Sequence, residues 1–572
     1  MDETTTRFQG FFDGYRGGAF EGWVWQPDEP DAPVVVEVYA NGFRLGETEA
    51  SIYRPDLRAA GIGHGRFGFS LAFPIDLERT DAVQVSVRIK DGPTLAGGET
   101  TLGGAEPLSD EDATAFQAFI AAVLGRGAPR EVDAGEPDPK THFIVYCPTG
   151  AEAKSGILGM AEYSYAFVLK AFAPLLARFG EVHLVDDPAR QVDLLYAAHL
   201  ARGETSLFLS FAPPHRTTLG LRCPVIPVIA WEFPTIPSEV WDEERRHDWR
   251  WVLRQTGRAI TLSDLAARAV KAAMGVDFPV VAIPAPVWDR QPEGQRLPAR
   301  ALATPAVIEV DGFVFDSRKV AFSAGMSTPR LPAPGELPDR VELSGVVFTS
   351  VFSPKDGRKN WPDLVTAFLA ALADRSDATL VLKMVGNDPE QWWWELFDRV
   401  SRMPEFACRL VVINGFLDDA RYNQLIAASQ WVVNASSAEG LCLPLIEFMC
   451  AGRPAIAPAH TAMADYLDAS CGLVVHADEQ YCGWPHDTRM GMTTTRHPVS
   501  WSALKAAYEE GYRLVKEVPA RYDALGQAAA NRMEAFCSDA IVAERLSAFL
   551  GLGHLTTPPP QASELLMADM LP

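Results

Sequence analysis

The chain has 572 residues, a length that predicts three or four domains rather than one. Hydrophobic residues make up 48% and charged residues 22% of the chain, which is the balance of globular proteins and argues against global disorder. The 51 basic residues against 74 acidic ones leave a formal net charge of −23, which opposes binding to DNA or RNA. We therefore expect no nucleic-acid partner.

The cysteines and the hydropathy pattern bear on cellular location. Eight cysteines are scattered along the chain without a C-x-x-C pair, which argues against a cysteine-based zinc site and a disulfide scaffold. The start, MDETTTRFQG, lacks the pattern of a secretory signal, and no run of about 20 apolar residues predicts a membrane span. We expect a soluble cytoplasmic protein.

Residues 1–104 are predicted to form an all-β, sandwich-like accessory module. Alternating runs over residues 34–40 and 83–89 are followed by Asn-Gly and Asp-Gly dipeptides, which favour hairpins. Trp23 and Trp25 lie on one face of a predicted strand. Such a pair can stack on sugar rings, but tryptophans in a small sandwich more often fill its core, where we expect these two.

Residues 105–140 are predicted to form a helix followed by a linker. Ser109 precedes Asp110-Glu111-Asp112 and an apolar pattern, which is typical of a helix N-cap with acids in the first turn. The same acids spell the Asp-x-Asp pattern that binds metal in some sugar transferases. Because they open a helix beside a linker, we interpret them as a cap and predict no metal site.

After residue 140, apolar strands alternate with helices, which is typical of parallel α/β layers. We predict two doubly wound domains, residues 141–340 and 341–537, with a Pro/Ala-rich connection over 290–344. An amphipathic helix and a flexible Pro-rich tail follow over 538–572. The predicted strands cover residues 143–147, 182–185, 206–211, 225–231 and 258–262 in the first domain, and 345–352, 379–385, 410–413, 431–435 and 455–457 in the second.

The most informative motif runs from Trp431 to Glu447. A buried strand ends near Ser436, a loop carries Glu439 and Gly440, and a proline at 444 suits the first turn of a helix. Carboxylates accept hydrogen bonds from vicinal hydroxyls and helix-terminal amides favour anions, so this arrangement suits a nucleotide sugar. The alternative, in which the acids only complement the helix dipole, stays open at this point.

A second motif places cations at a strand-to-helix turn. The strand over residues 345–352 runs into SPKDGRKNW, in which Arg358 and Lys359 precede a helix that begins near residue 362. A diphosphate can lie at such a turn. The alternative is a solvated surface loop.

Glu439 and Glu447, together with AGRPAI at residues 451–456, resemble the donor-site signature of retaining GT-B glycosyltransferases, in particular glycosyltransferase family 4. The resemblance covers residues from about 141 to 550. It implies two Rossmann-like domains that face a cleft. It also implies metal-independent hexosyl transfer from a nucleotide sugar to a glycan, lipid-linked or protein acceptor, in bacterial-type surface polysaccharide or glycoconjugate synthesis, with no cofactor.

The resemblance also implies roles for individual residues. Glu439 would contact the donor sugar and Glu447 the ribose hydroxyls. Lys359, Arg358 and the helix N-terminus near Leu443 would stabilise the departing diphosphate in place of a metal. The amides that would line the sugar and phosphate pocket are those of Gly440, Leu441 and Cys442, although the family often has glycine where Cys442 stands.

Weaker candidates lie at other strand ends. In the family, loops after two strands of the second domain hold the donor base through backbone contacts, and a glycine-containing turn of the first domain approaches donor and acceptor. Ordinary turns or local packing explain these residues equally well. The base candidates are Gly386, Asn414, Gly415 and Phe416, and the acceptor-side candidates are Gly156, Gly159, His215, Trp231 and Glu232.

Residues 244–258 are basic and aromatic within an acidic chain. A helix of this kind can lie on an anionic membrane, which would place the protein at the inner membrane face. We prefer a solvated helix with its tryptophans in the core. The oligomeric state is not indicated.

Two other classes of protein compete with the glycosyltransferase interpretation. The first is a carbohydrate- or protein-binding scaffold with a degenerate GT-B core, against which the intact Glu439, Glu447 and Lys359 argue. The second is another GT-B enzyme, such as a sugar-nucleotide epimerase or a phosphorylase, against which the family 4 pattern and the lack of an assignable cofactor lysine argue.

Overall fold

The computed structural model describes residues 7–16, 18–30, 32–40, 43–73, 83–102, 140–148, 163–241, 243–291, 300–319, 340–384, 389–484, 487 and 491–552. Among these residues, no helix is long and apolar enough to cross a membrane. Nearly all of the predicted helix and linker over 105–140 lies outside the described residues. So do the tail beyond residue 552 and Gly156, Gly159 and Gly386.

The N-terminal region is a β module. Its eight strands run in the order β4-β3-β7-β8-β1-β2-β6-β5 and pair antiparallel, except that β1 meets β8 in parallel. Inward-facing residues from both ends of this order share one core, which confirms the prediction of β structure here. The elements are β1 (Gln9–Arg16), β2 (Ala19–Trp25), β3 (Val34–Ala40), β4 (Phe43–Ala50), β5 (Ile52–Tyr53), α1 (Pro55–Ala59), β6 (Arg66–Ala72), β7 (Val83–Ile89) and β8 (Thr94–Leu102).

The expected core position of Trp23 and Trp25 is wrong. Along β2 it is Phe20 and Val24 that are fully buried in the core of the module. Since side chains alternate between the two faces of a strand, the two tryptophans point to the opposite face. Trp23 lies across from Phe11, which is 46% exposed, and is itself only partly buried.

The first α/β unit follows the β module. All six of its strands pair in parallel, in the order β10-β9-β11-β12-β13-β14, as predicted. Helix α5 begins after Ser263, whose hydroxyl accepts a hydrogen bond from the Ala266 amide and so caps the helix. The elements are β9 (Thr141–Tyr146), α2 (Tyr163–Leu176), β10 (Glu181–Leu184), α3 (Pro188–Ala201), β11 (Thr205–Phe211), β12 (Val225–Ile229), α4 (Trp249–Thr256), β13 (Ala259–Thr261), α5 (Asp264–Met274) and β14 (Val280–Ala282).

The second α/β unit contains a seven-stranded path of order β16-β19-β18-β17-β20-β21-β22, parallel except for β16. Its elements are β15 (Leu302–Glu309), β16 (Asp311–Asp316), β17 (Arg340–Phe352), α6 (Trp361–Ala371), β18 (Ala378–Met384), α7 (Pro389–Ser401), β19 (Arg409–Phe416), α8 (Asp419–Ala428), β20 (Trp431–Val433), α9 (Leu443–Cys450), β21 (Ala455–Ala457), β22 (Gly472–Val474), β23 (Gln480–Gly483) and β24 (Thr493–Arg496).

The region predicted as a connection over residues 290–344 contributes two strands to the second unit. Strand β15 pairs antiparallel with β17, and β16 pairs antiparallel with β19. Phe313 and Phe315 of β16 are buried in the core of this unit. The Pro/Ala-rich composition of the region concealed the apolar alternation of these two short strands.

Three C-terminal helices tie the two units together. They are α10 (Trp501–Glu517), α11 (Pro519–Cys537) and α12 (Asp539–Leu550). Helix α12 packs back on the first unit, where Asp539 accepts a hydrogen bond from Arg178 (3.0 Å) and Arg545 donates to the Ala282 carbonyl (3.2 Å). Residues of both units and of these helices share one core, so the units are in contact.

The strand order of the second unit determines where a ligand can bind. The chain passes from β17 through β18 to β19 on one side and then from β20 to β22 on the other. In open parallel sheets a ligand crevice lies at the carboxyl ends of the strands that flank such a reversal. Here those ends continue into the segments 353–360 and 434–442.

We expect the substitution Asp316→Ala to destabilise the second unit. Asp316 accepts two hydrogen bonds from Arg409 (3.1 and 2.7 Å), and both side chains are only 7% exposed. Removing the carboxylate leaves a buried, unpaired guanidinium, which costs about 3–5 kcal/mol. Urea unfolding should show a clear fall in the midpoint.

The matched control is Asp478→Ala, which removes a contact between Asp478 and His476 whose two side chains are both 68% exposed. Such pairs contribute about 0–1 kcal/mol, so its midpoint should stay near that of the wild type. Equal midpoints for the two variants would show that the buried pair does not hold β16 to the sheet.

Candidate functional site

The loop between β20 and α9 has a left-handed residue just before the helix. Cys442, the N-cap of α9, has φ +64 and ψ 62, and the helix begins at Leu443. A non-glycine residue in this region costs about 1–2 kcal/mol. The Cys442 sulfur accepts a hydrogen bond from Asn434 Nδ2 (3.2 Å). The backbone therefore takes the conformation that glycine favours, although a cysteine stands here.

Glu439 is the centre of the loop. Its side chain is almost fully buried, and its Oε1 accepts hydrogen bonds from Lys359 Nζ (2.7 Å), Asn434 Nδ2 (3.1 Å) and Ser436 Oγ (2.6 Å). The Glu439 amide donates to Thr461 Oγ1 (3.0 Å). The structure thus brings Glu439 and Lys359 together. Sequence reasoning missed Asn434 and Ser436, for which the only signal was a polar run directly after a buried strand.

The ion pair keeps both partners charged. Burial raises the pKa of Glu439, but the charge and hydrogen bond of Lys359 outweigh this and hold the pKa below its ordinary value. Burial lowers the pKa of Lys359, but Glu439 outweighs this and the pKa is raised. Both groups are therefore ionised at neutral pH.

Arg358 connects the two units. Its Nε and Nη2 donate to the two carboxylate oxygens of Asp356 (2.9 and 2.6 Å), and its Nη1 donates to Glu232 of the first unit. The Arg358 carbonyl accepts from the Ser437 amide (2.8 Å) and joins the two loops. Glu232, an acceptor-side candidate, thus contacts one of the two cations, Arg358. We call Asp356, Arg358, Lys359, Glu439 and Glu232 the cleft network; it holds two cations and three carboxylates.

Gly440 lets the two units approach each other. A Cβ atom at Gly440 would lie 3.0 Å from the Trp231 amide nitrogen and 3.3 Å from its carbonyl carbon. The Trp231 indole is buried and packs on Trp249 and Trp484, with ring centroids 4.5 and 5.5 Å apart. Trp231 therefore lies beside the loop between β20 and α9 through its backbone, and its ring has a packing role.

Leu441 is also buried, and its carbonyl accepts a hydrogen bond from the Tyr466 hydroxyl (2.9 Å). This bond and the capping conformation of Cys442 hold the loop on both sides of its turn into α9. That the amides of Gly440, Leu441 and Cys442 line a sugar and phosphate pocket stays a prediction, with which this arrangement of the loop is consistent.

Glu447 forms a second acidic position in α9. Its Oε2 accepts a hydrogen bond from the Tyr422 hydroxyl (2.9 Å). Burial raises the pKa of Glu447, a change that Tyr422 and the nearby Arg290 partly oppose. Tyr422, on α8, was not found by sequence reasoning because no motif connects it to α9.

Three of the base candidates do not lie in a loop. Strand β19 continues through Asn414, Gly415 and Phe416, and Gly415 pairs with Gly312 of β16. The buried Lys383 donates to the Gly415 carbonyl (2.6 Å), and burial lowers the pKa of Lys383 to about 8. The expectation of a loop is wrong, and a role at the donor base stays a prediction.

His215 lies in a short 3-10 helix, Pro214–Arg216, after β11. Its Nδ1 accepts a hydrogen bond from Trp249 Nε1 (3.2 Å), and the two rings are stacked. This contact favours the local-packing interpretation of His215.

The basic and aromatic segment over residues 244–258 contacts the β module. Trp249 is 1% exposed, in agreement with the expected core position, but Trp251 is only partly buried, so the expectation is wrong for Trp251. Arg245 forms an ion pair with Glu49 of β4, and Trp251 Nε1 donates to the same carboxylate (3.4 Å). Arg245 and Trp251, which would face a membrane in the alternative interpretation, therefore contact Glu49 of the β module in the described structure.

We expect Lys359→Met to destabilise the protein at pH 7 and much less at pH 4–5. The folded-state pKa of Glu439 is lowered by Lys359, so the pair stabilises the fold above the unfolded pKa of about 4.3, and this stabilisation is lost as the pH falls through the folded pKa. Without Lys359 the buried carboxylate is uncompensated at pH 7, which costs about 3–5 kcal/mol, and protonation relieves it.

The double variant Lys359→Met/Glu439→Gln removes both charges and should regain most of the lost stability at pH 7. Urea unfolding of the wild type, both single variants and the double variant at the two pH values measures the coupling. If the Lys359→Met and double variants are equally destabilised at pH 7, the pair is not coupled as described.

A protein-family model described as glycosyl transferases group 1 matches residues 344–481, about a quarter of the chain. The matched stretch contains four members of the cleft network, Asp356, Arg358, Lys359 and Glu439, together with Glu447. A comparison with curated proteins finds no match.

Several solved structures share parts of the architecture. HepE of Anabaena, in complex with UDP, is 14% identical with a TM-score of 0.42 over 72% of this chain and 99% of that chain. WaaG, a glycosyltransferase involved in lipopolysaccharide biosynthesis, is 14% identical with a TM-score of 0.38 over 72% of this chain and 100% of that chain.

TarM of S. aureus, in complex with fondaparinux, alpha-GlcNAc-glycerol and UDP, is 11% identical with a TM-score of 0.37 over 60% of this chain. The present chain spans only 55% of the TarM chain. Likenesses of this size do not by themselves indicate a shared activity.

Proposed function

We propose that the protein is a retaining, metal-independent GT-B glycosyltransferase, similar to glycosyltransferase family 4, that uses a nucleotide-sugar donor. The observation that carries the proposal is the buried Lys359–Glu439 pair (2.7 Å), which joins the two loops at the strand reversal. Both residues lie in the stretch that matches glycosyl transferases group 1.

Two carboxylates suit the hydroxyls of the donor. Glu439 is fixed by Lys359, Asn434 and Ser436, so its position is set before a ligand arrives. Glu447 is oriented by Tyr422 and would take the ribose hydroxyls. Hydrogen bonds to ionised carboxylates are about twice as strong as neutral ones, which supports this use of Glu439, whose pKa is lowered by Lys359.

The departing nucleoside diphosphate would be stabilised by Arg358, Lys359 and the amino end of α9. The protein's own carboxylates now neutralise both cations. A diphosphate adds negative charge to a network that already has one more carboxylate than cations, so at least one carboxylate must give way. Glu232 is the member supplied by the other unit, and we assign the displacement to it. Donor binding would then loosen one contact between the units.

The reaction we propose breaks the bond between the anomeric carbon and the phosphate oxygen. A new bond forms from the acceptor hydroxyl to the same face of that carbon, and the hydroxyl proton passes to the departing phosphate oxygen. The leaving group thus serves as the base, and the chain need not supply one. Positive charge from Arg358 and Lys359 stabilises the developing phosphate charge in place of a metal ion.

On the acceptor side, we propose a glycan, lipid-linked or protein acceptor that enters beside Trp231 and Glu232. The proposed setting is bacterial-type surface polysaccharide or glycoconjugate synthesis in the cytoplasm, with peripheral contact at the inner membrane face where the acceptor is lipid-linked. The Trp231 backbone packs against Gly440, with a Cβ built there 3.0 Å from the Trp231 amide nitrogen, so Trp231 and Glu232 adjoin the loop to which we assign the donor sugar.

We expect Lys359→Ala and Glu439→Gln each to lower transfer at least about 100-fold, the usual effect of removing one preorganised transition-state contact. Mass spectrometry of products from a panel of nucleotide sugars identifies the donor and then measures the rate. The anomeric configuration of the product, read by NMR, should equal that of the donor. Added Mg²⁺ or Mn²⁺ should leave the rate unchanged.

The control is Lys505→Ala, which removes an exposed ion pair on α10 with Glu509. It should keep wild-type turnover. Circular dichroism must show that all three variants are folded. Near-normal turnover in both cleft variants would contradict the assignment, and an inverted product would contradict the retaining mechanism.

A further inference from the structure

Three histidines meet at the edge of the first parallel sheet that lies opposite the cleft. His142 is near the amino end of β9, His183 is on β10, and His199 is in the last turn of α3. One ligand atom from each lies within 4.8 Å of the other two. The proposed glycosyl transfer uses none of these residues, so the cluster needs a separate explanation.

The distances match those of a metal site before the ion enters. His142 Nδ1 and His183 Nε2 are 3.0 Å apart. Glu181 Oε2 lies 3.9 Å from His142 Nδ1, and Glu181 Oε1 lies 3.9 Å from His183 Nε2. In a tetrahedral zinc site with bonds of about 2.0–2.1 Å, neighbouring ligand atoms lie about 3.3–3.4 Å apart. The two nitrogens therefore need to move apart by only a few tenths of an ångström, and a rotation of the Glu181 carboxylate would bring one of its oxygens to the same ion.

Neighbouring side chains orient the ligand atoms. The Glu204 carboxylate lies 3.0 Å from His142 Nε2 and can only accept, so that nitrogen carries the proton and His142 Nδ1 accepts the hydrogen bond from His183 Nε2. A bound ion would take the place of the proton on His183 Nε2, so that both nitrogens could ligate it. A carboxylate behind a ligating histidine is the usual outer partner in zinc sites. Ser206 Oγ lies 2.7 Å from His199 Nδ1, which leaves Nε2 as the ligand atom of His199 when the hydroxyl accepts.

The members of the cluster differ in their exposure to solvent. The His142 side chain is 2% exposed and that of His183 is 22% exposed, so the site is sheltered but has an entry from solvent.

Two features oppose metal binding and limit the ligand set. The His142 and His199 rings are stacked, with centroids 3.6 Å apart and planes 14° apart, so one ion cannot lie in both ring planes unless His199 turns. Lys140 Nζ also bonds Glu181 Oε2 (2.5 Å) and would repel a cation. The other carboxylate oxygen, Oε1, is the one that faces His183.

We propose that His142 Nδ1, His183 Nε2 and Glu181 bind one zinc-class divalent transition-metal ion, with His199 turning to become the fourth ligand. Imidazole and carboxylate ligands in a tetrahedral arrangement suit zinc. The ion cross-links β9, β10 and α3. Helix α3 also carries Leu194 and Ala197, which pack in the core of the β module, so the ion stiffens the surface on which that module sits. Its role is structural.

The test is a Co²⁺ titration of the full chain, purified without a polyhistidine tag and freed of metal by chelation. We expect the visible bands of tetrahedral Co²⁺ to saturate at one equivalent, and one equivalent of Zn²⁺ to remove them. Zn²⁺ should also raise the melting temperature. Absence of a one-equivalent Co²⁺ or Zn²⁺ complex in the wild type overturns the proposal.

Variants identify the ligands. His183→Gln and His199→Gln should each weaken Co²⁺ binding at least about tenfold, while His476→Gln, an exposed histidine, should leave it unchanged. Lys359→Ala, in the cleft, should also leave it unchanged, so this result does not depend on the proposed transfer activity. Circular dichroism without metal checks folding. Unchanged binding in a folded His183→Gln variant, or equal weakening in His476→Gln, contradicts the assignment.

Discussion

The architecture of the cleft depends on burying two cations among three carboxylates. Lys359 and Arg358 follow β17, Glu439 follows β20, and Glu232 comes from the other α/β unit, so a single network joins both loops and both units. Charges that are taken out of water are stable only when they are paired and hydrogen-bonded. The conformation of these loops therefore cannot change without leaving a buried charge unpaired, unless a ligand replaces the lost partner.

The cleft network also determines how an anionic donor could bind to a protein with a net charge of −23. An anionic donor meets an unfavourable overall field and must be held by local cations and oriented amides. Carboxylates contact both cations in the structure, so an anion has to compete with a carboxylate. Competition of this kind can link donor binding to the relative position of the two units, because Glu232 and Gly440 both lie where the units touch.

Sequence reasoning reached the parallel sheets and singled out Glu439 and Lys359, because these follow from local patterns at strand ends. It did not predict the ion pair between the two residues. It missed β15 and β16, since their composition resembles a linker and their partners are distant strands. It wrongly placed Trp23 and Trp25 in the core, because the alternation along a strand does not show which of its two faces packs against the core. The histidine cluster was out of reach, since its members meet only in space; His142 and His183, for example, are 41 positions apart in the sequence.

The most direct test of the account is calorimetric titration of the wild type with UDP, GDP, ADP and CMP. The account predicts that one of the nucleoside diphosphates binds with one-to-one stoichiometry. Lys359→Ala should lose at least about tenfold in affinity, since a charge-assisted hydrogen bond contributes about 1.5–3 kcal/mol. Glu232→Gln, which removes the competing carboxylate, should bind the same nucleotide at least as tightly as the wild type. If no nucleotide binds, or if binding is unchanged in Lys359→Ala, the cleft network is not a donor site.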